Sequence, residues 1–449
     1  MGRFQRKEWG MPLSLVEFLE QGAATSRQIQ AATGMSQAAV SRQLRKMGRN
    51  VVVTRSGRTP KYIMTKDAFG GNDKLPLASV DAHGNTVLVA HVRPLVTGGF
   101  YVEPLPGMPA LLLGDNGDGL YEDLPYFLYD MGPQGFLGRL IALQMNARFP
   151  EFPADPRQWT TDHIGRYLIS NGDDLPGNFK LGEQALLRVR RKPEAVDDPE
   201  YPRIAERVLS GDVPGSSAGG EQPKFTAFSK RARSHVIVKF SPAGDSEMSR
   251  RWRDIMITEY HAMEALRGMN FPAAQARLFE AEGRLFLESK RFDRSGEYGR
   301  MSMISLASID AEFVGVGSGW PHVVKSLSER GLVAAKHAFD AELLWCFGRL
   351  INNTDMHLGN LSFALDGNVF RLLPAYDMCS MGFASKSGGE VRPYSFEPRH
   401  PERKLVPDQA YGAVVKAAME FWDSVAKDDR ISEEFRKFLA MGNPVKLMR

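Results

Sequence analysis

Cysteine is nearly absent from this chain: Cys346 and Cys379 are the two it has among 449 residues, and no pairing motif connects them. A disulfide framework or a thiolate zinc site needs more sulfur than that, so both read as packing residues. Long apolar runs are missing too. No stretch approaches the roughly 20 residues that cross a bilayer, and the opening MGRFQRKEWGMPLSLVEF has no apolar block of the signal-peptide kind. The expectation is a cytoplasmic protein with no membrane contact. Internal repeats and low-complexity tracts are also lacking. Acidic residues are scarce in one place: residues 1–66 hold twelve Lys and Arg against three Glu, whereas the remainder carries 45 basic and 50 acidic residues. Positive charge gathered at one end is a nucleic-acid signal wherever the local fold agrees.

What is present suits a globular protein. Hydrophobic residues make up 43% and charged residues 24%, and 449 residues exceed what one core usually supports, so two or three domains are expected. In the basic end, Leu13 to Gln21, Thr25 to Thr33 and Ser36 to Met47 read as three short helices. Gly34-Met35-Ser36 is a tight turn with Ser36 as N-cap, the pattern of a helix-turn-helix. Val40, Leu44 and Met47 would face the core. Gln37, Ser41, Arg42, Arg45 and Lys46 would then face outward, able to meet base edges and phosphates. Val51 to Thr54 and Lys61 to Met64 flank a basic tip containing Arg55 and Arg58, which completes a winged helix-turn-helix; a small helical docking domain with a solvated basic face is the plainer alternative. Lys66 to Pro76 has the composition of a linker. Leu77 to about Arg190 reads as a mixed α/β stretch whose aromatic cluster suits a core better than a ligand box.

Chemistry becomes legible further on. Gly215 to Gly220, continuing Glu221-Gln222-Pro223-Lys224, is rich in small residues that let backbone N–H groups approach an anion, although it matches neither G-x-x-x-x-G-K-S/T nor G-x-G-x-x-G. His235 to Phe240 is a strand carrying Lys239, as in kinases whose strand lysine reaches nucleotide phosphates. Glu259, 20 residues later on a helix, could pair with it. Arg284 to Arg294 is a strand entering a polar loop, where a two-lobed kinase has its hinge. From Ile304 the pattern is mostly helical, including Ala335 to Ile351, Ala410 to Lys427 and Ser432 to Met441.

Ile351 to Phe363, INNTDMHLGNLSF, and Leu372 to Met378, LLPAYDM, then bring together Asp355, His357, Asn360 and Asp377 around a hairpin turning at Asp366-Gly367. Phosphoryl transfer needs such a set: one carboxylate for the attacking hydroxyl, and a carboxylate with an amide oxygen for Mg²⁺. Taken singly these are ordinary loop residues. Together they leave open a protein kinase, a small-molecule phosphotransferase, a regulator with a kinase-derived sensor domain and, more remotely, a metal-dependent nuclease.

SSAGGEQPKF, HVIVKF, KRFDR, NNTDMHLGNLSF and LLPAYDM, in this order, resemble the motifs of HipA-like serine/threonine kinases, the toxins of bacterial toxin–antitoxin systems, over about residues 77–440. The fused N-terminal winged helix is similar to the YjjJ (HipH) branch. The resemblance implies an α+β, two-lobed kinase-like fold behind a winged helix-turn-helix: residues 1–66, an α/β lobe over 77–300 and an α-rich lobe over 301–449. It implies Asp355 as proton acceptor and Asn360 with Asp377 on Mg²⁺. Gly219, Gly220, Glu221, Gln222, Pro223 and Lys224 would lie around the ATP phosphates, Lys239 on them, Lys290, Arg291 and Phe292 at the adenine and His357 beside the nucleotide. It also implies autophosphorylation of Ser217, which would place negative charge where ATP phosphates belong. A protein substrate with a serine hydroxyl, in characterised relatives often an aminoacyl-tRNA synthetase, is implied; DNA is the partner expected of the winged helix, a separate antitoxin is left open, and a palindromic operator would require a homodimer. Two departures stand out: Gly220-Glu221 replaces small neutral residues, and Lys290 stands where relatives often have Glu.

Overall fold

The structure is a computed structural model describing residues 13–54, 59–172, 174–211, 222–385, 390–400 and 406–448. It divides into two compact units, one of residues 1–77 and 88–125, the other of 78–87 and 126–449.

In the first unit each helix starts on a hydroxyl. Ser14 caps Leu15–Leu19, Thr25 caps Ser26–Thr33, and Ser36 caps Gln37–Met47 by accepting the Ala39 N–H at 3.3 Å. Gly34, at φ 70°, ends the second helix where a side chain would be strained. Leu15, Leu19, Ile29, Val40 and Leu44 form the core between the helices, and Met47 packs on it half-buried. Val51–Thr54 and Lys61–Met64 pair antiparallel, Val53 opposite Tyr62, and Ala24–Thr25 adds a third strand. The architecture is the expected winged helix-turn-helix. Gln37, Ser41, Arg42, Arg45 and Lys46 are exposed on its third helix, while Arg55 and Arg58 lie outside the described residues.

The supposed linker is part of the packed unit. Phe69 is buried and stacks on Phe100, ring centres 5.6 Å apart. Asp73 is buried, and a strand begins at Leu75. Gly70 at φ 73° serves a tight turn closed by the Gly71 N–H on the Ala68 carbonyl, so its glycines supply conformation rather than looseness. The buried guanidinium of Arg93 donates to the Arg49 carbonyl at 2.6 Å, the Asp73 carboxylate at 2.7 Å and Glu103 at 3.1 Å, which fastens the winged helix to the strand Thr86–Pro94.

The second unit is built on a mixed sheet with helices beyond it. Its main sheet runs in the order Ala276–Ala281, Arg284–Lys290, Ser234–Phe240, Lys224–Ser229, Ala195–Val196, antiparallel except for the last pair. Strand alternation sends Val236, Val238 and Phe240 into a core with Phe225, Phe286 and Tyr201. Ile237 and Lys239 therefore face the other way, into a cleft. The 22-residue helix Glu247–Gly268 packs against this sheet. Beyond it, Ile304–Ser305 pairs with Ser362–Asp366, which forms a hairpin with Val369–Leu372. Asp366 pairs with Val369, so the turn is Gly367-Asn368, one residue later than expected, because Gly367 takes φ 60° as its first residue. Helices Leu306–Phe313, Trp320–Glu329, Ala335–Leu350, Asp408–Ala426 and Glu433–Ala440 make this part α-rich.

Candidate active site

Lys224 and Lys239 are register partners on adjacent strands, so both side chains leave the same face of the sheet. Two like charges there need counter-charge, and two carboxylates supply it. Glu259 on the long helix takes Lys239 Nζ at 2.6 and 2.7 Å, and Asp377 holds the same ammonium. Burial alone would depress Lys239, but Asp377 and Glu259 reverse that and keep it firmly cationic. Burial alone would raise Asp377, and the charges of Lys239 and Lys224 instead bring it down to about 2. Glu259 stays raised by burial and by the nearby Asp377 charge. Asp377 itself sits at φ 53°, a left-handed conformation that costs a non-glycine residue about 1–3 kcal/mol.

The loop after Ala335–Leu350 is held by its own polar groups. Asn352 takes φ 61° just past the helix end, and Asn353 accepts the Asp355 N–H at 3.0 Å. Asn360 donates to the Asp355 carbonyl at 2.7 Å and reaches its carboxylate at 3.5 Å. His357 Nδ1 accepts the Gly359 N–H, which turns Nε2 toward Asp355 Oδ1, 3.9 Å away. The buried Trp320 donates its indole N–H to the His357 carbonyl at 2.9 Å. Gly348 leaves room for Met356: a Cβ there would stand 2.3 Å from its sulfur. Asp355 is half-exposed, and burial together with the Asp377 charge moves its carboxyl above the ordinary range, against the pull of His357. A two-bond strut joins the walls behind the site. The Ser380 N–H donates to Thr258 Oγ1 at 3.0 Å and the Ser380 hydroxyl to the Ile351 carbonyl at 2.7 Å.

These groups surround a cleft of about 360 Å³. Lys224, Lys239, Lys290, Arg291, Phe292, His357, Asn360 and Asp377 all line it, whereas Asp355 stands at its edge, tied in through Asn360 and His357. Gln222 and Pro223 do not line it; Gln222 is buried, and the Pro223 carbonyl accepts the Phe240 N–H. Ser217, Gly219, Gly220 and Glu221 lie outside the described residues. At the hinge the Lys290 and Arg291 N–H groups already bond to the Gln275 and His235 carbonyls. The Arg291 guanidinium is buried on Asp293, in a cluster with Arg294, Arg300 and Asp174. Arg291 is thus committed internally, while the Phe292 ring lies 5.5 Å from that of Tyr376 across the cleft wall.

One part of the wall was not anticipated. Tyr129, Asp130 and Gln134, from the stretch whose chemistry the sequence left unread, line the cleft with Ser305 and Ser308. Asp130 accepts the Ser305 N–H at 2.6 Å, the Ser305 hydroxyl at 2.6 Å and the Ser308 hydroxyl at 3.0 Å. Burial pushes its carboxyl above the ordinary range despite those bonds. No spacing signals this, since its partners stand 175 and 178 residues away.

A strand lysine clamped by a helix glutamate, over a loop carrying aspartate and asparagine and a second aspartate beyond a hairpin, defines a kinase-like fold. The chain belongs to the HipA-like toxin family, in its YjjJ-like branch. Residues 71–190 match the YjjJ-like toxin middle domain, 216–435 the HipA-like C-terminal domain, and 13–50 the arsR family of bacterial regulatory proteins. Toxin YjjJ of Escherichia coli (strain K12) is 33% identical over 432 residues, 94% of each chain. Among solved structures, HipA of Shewanella oneidensis MR-1, in a complex with HipB and operator DNA, is similar in fold with a TM-score of 0.50 at 16% identity, over 81% of this chain and 91% of that one. The Helicobacter pylori proinflammatory kinase CtkA gives a TM-score of 0.35 at 16% identity, over 51% of this chain and 88% of its own.

Proposed function

We propose that the chain is a Mg-ATP-dependent serine/threonine protein kinase of the HipA type that binds DNA through its own winged helix. The observation carrying this reading is the Lys239 ammonium held between Glu259 and Asp377, with Asn360 anchored on Asp355 nearby. Lys239 and Lys224 would take the phosphates. Asp355, with its raised pKa, would accept the proton of the attacking serine hydroxyl, and Asn360 and Trp320 fix the loop that presents it.

The donor chemistry fits magnesium. Asp377 is ionised at neutral pH and Asn360 offers an amide oxygen, hard ligands of the kind Mg²⁺ shares with nucleotide phosphates and water. Bound there, the ion supplies charge neutralisation on the phosphates. Among the described residues no group of three His, Cys, Asp or Glu side chains forms a metal site, and a nucleotide-shared magnesium does not require one. At the hinge, the Phe292 N–H is the backbone donor for adenine, because those of Lys290 and Arg291 are engaged.

Phosphorylation of Ser217 would add nearly two negative charges at the phosphate end of the cleft and switch the enzyme off. Gln37, Ser41, Arg42, Arg45 and Lys46 would meet operator DNA, as a homodimer if the operator is palindromic. The solved Shewanella relative sits on operator DNA together with HipB; here a helix-turn-helix is part of the same chain.

Intact mass before and after incubation of the phosphate-free chain with Mg-ATP tests the kinase reading. One added phosphate is expected, absent from Ser217→Ala and from Asp355→Ala, the latter losing on the order of 10²–10⁴-fold in rate. An unchanged mass, or normal transfer by Asp355→Ala, overturns it.

A further inference from the structure

The cleft has two ends already given roles, and the ground between them is occupied by a carboxylate. Phosphates belong with Lys224, Lys239 and Asp377, and adenine with Lys290 to Phe292. Phe292 and Tyr376, one from each end, face each other at 5.5 Å, and the Tyr376 hydroxyl is fixed by the Gly359 carbonyl at 3.0 Å and the Ser362 hydroxyl at 2.6 Å. Burial raises the pKa of this phenol, and the charges of Asp377 and then Asp130 add to that. Ser305, which holds Asp130, is the register partner of Ser362, which holds Tyr376. Asp130 therefore belongs to the middle of the cleft, where the sugar of a nucleotide must lie.

A carboxylate has about four acceptor positions. Three on Asp130 are taken by the Ser305 N–H and the Ser305 and Ser308 hydroxyls. The remaining one belongs to Oδ2, which takes only the Ser305 N–H, on a side chain that lines the cleft and is neither fully buried nor exposed. An acceptor fixed in that way by three donors is preorganised for a hydroxyl donor and discriminates against an analogue lacking it.

We propose that Asp130 accepts a hydrogen bond from a ribose hydroxyl of the nucleotide, so that the segment between the winged helix and the phosphate loop contributes to nucleotide selection. This rests on the nucleotide-binding reading above. It makes Asp130 a binding residue that distinguishes ribonucleotides from deoxyribonucleotides.

The test is titration calorimetry of the full chain with Mg-ADP, Mg-2′-deoxy-ADP and Mg-3′-deoxy-ADP, for the wild type and Asp130→Asn. The wild type is expected to bind ADP about 10-fold or more tighter than one deoxy analogue, the scale of a charge-assisted hydrogen bond. Asp130→Asn should bring the two within about 2-fold. Equal binding of all three ligands by the wild type, or a preference intact in the variant, overturns the sugar assignment alone. No binding of ADP by the wild type overturns the nucleotide reading beneath it. Should Asp130→Asn fail to fold, Asp130→Glu, which keeps the charge and moves the oxygens by one methylene, is read in its place: loss of the preference supports the assignment and its full retention overturns it.

Discussion

Lys239 and Glu259 meet through both carboxylate oxygens, at 2.6 and 2.7 Å, although one lies on a strand and the other 20 residues on along a helix. Asp377 holds the same ammonium, so Lys239 is the one cation bonded to both carboxylates. Removing the cation should thus cost more than removing either anion. Lys239→Met leaves Glu259 and Asp377 with only the more distant charge of Lys224 and is expected to lose about 3–5 kcal/mol of stability, read from urea unfolding. Glu259→Gln leaves Lys239 on Asp377, a would-be metal ligand, and should lose less stability while weakening Mg-ADP on the order of 10-fold. Equal stability losses from the two variants would contradict the shared-cation arrangement.

Asp377 sets an acid limit. Its folded value of about 2 lies below the ordinary 3.8, so its contribution is fully present above the ordinary value and is lost as pH falls toward about 2. The contribution is on the order of 2 kcal/mol. Urea midpoints measured from pH 5 down to 3 should fall with a slope that Asp377→Asn makes shallower; parallel slopes would mean that Lys239 does not hold Asp377 in its ionised form.

Arg93 and Asp73 offer a second test by double substitution. Arg93→Met alone leaves the buried Asp73 carboxylate with only the Thr65 hydroxyl and the Arg49 guanidinium 4.0 Å away, and should cost up to about 3–5 kcal/mol. Adding Asp73→Leu removes the stranded charge, so the double variant is expected to be more stable than the single one. Additive losses would show that the two residues act separately.

The winged helix should show its contacts through salt. If Arg42 and Arg45 each neutralise one DNA phosphate, replacing both with alanine lowers the slope of log K against log salt by about 2 in operator binding. An unaltered slope would make this domain a docking module.

Much of this architecture was legible because it is local. Ser14, Thr25 and Ser36 sit at helix starts where hydroxyls satisfy free N–H groups, and the alternation of His235 to Phe240 places Lys239 opposite its apolar neighbours. Short spacing likewise brought Asp355, His357 and Asn360 onto one loop. What failed to show depends on distance. Asp130 meets Ser305 and Ser308 only in the folded chain, and Lys66 to Pro76 reads as a tether unless Arg93 and Phe100 are known to lie against it. Arg291 lines the cleft as part of the expected hinge, and what the sequence did not show is that its charge is held by Asp293, a partner two residues away whose alignment depends on a buried cluster drawn from 174 to 300.

The strut through Ser380 limits how the cleft can move. Thr258 is the neighbour of Glu259, Ser380 follows Asp377 by three positions, and Ile351 opens the loop of Asp355; all three groups are buried. The helix bearing Glu259 cannot swing outward without stranding the Ser380 N–H in a dry interior, whereas the Thr258 hydroxyl keeps its bond to the Ile255 carbonyl within the helix. The rear of the cleft is therefore a braced wall, and movement that admits or excludes a ligand is expected at the mouth.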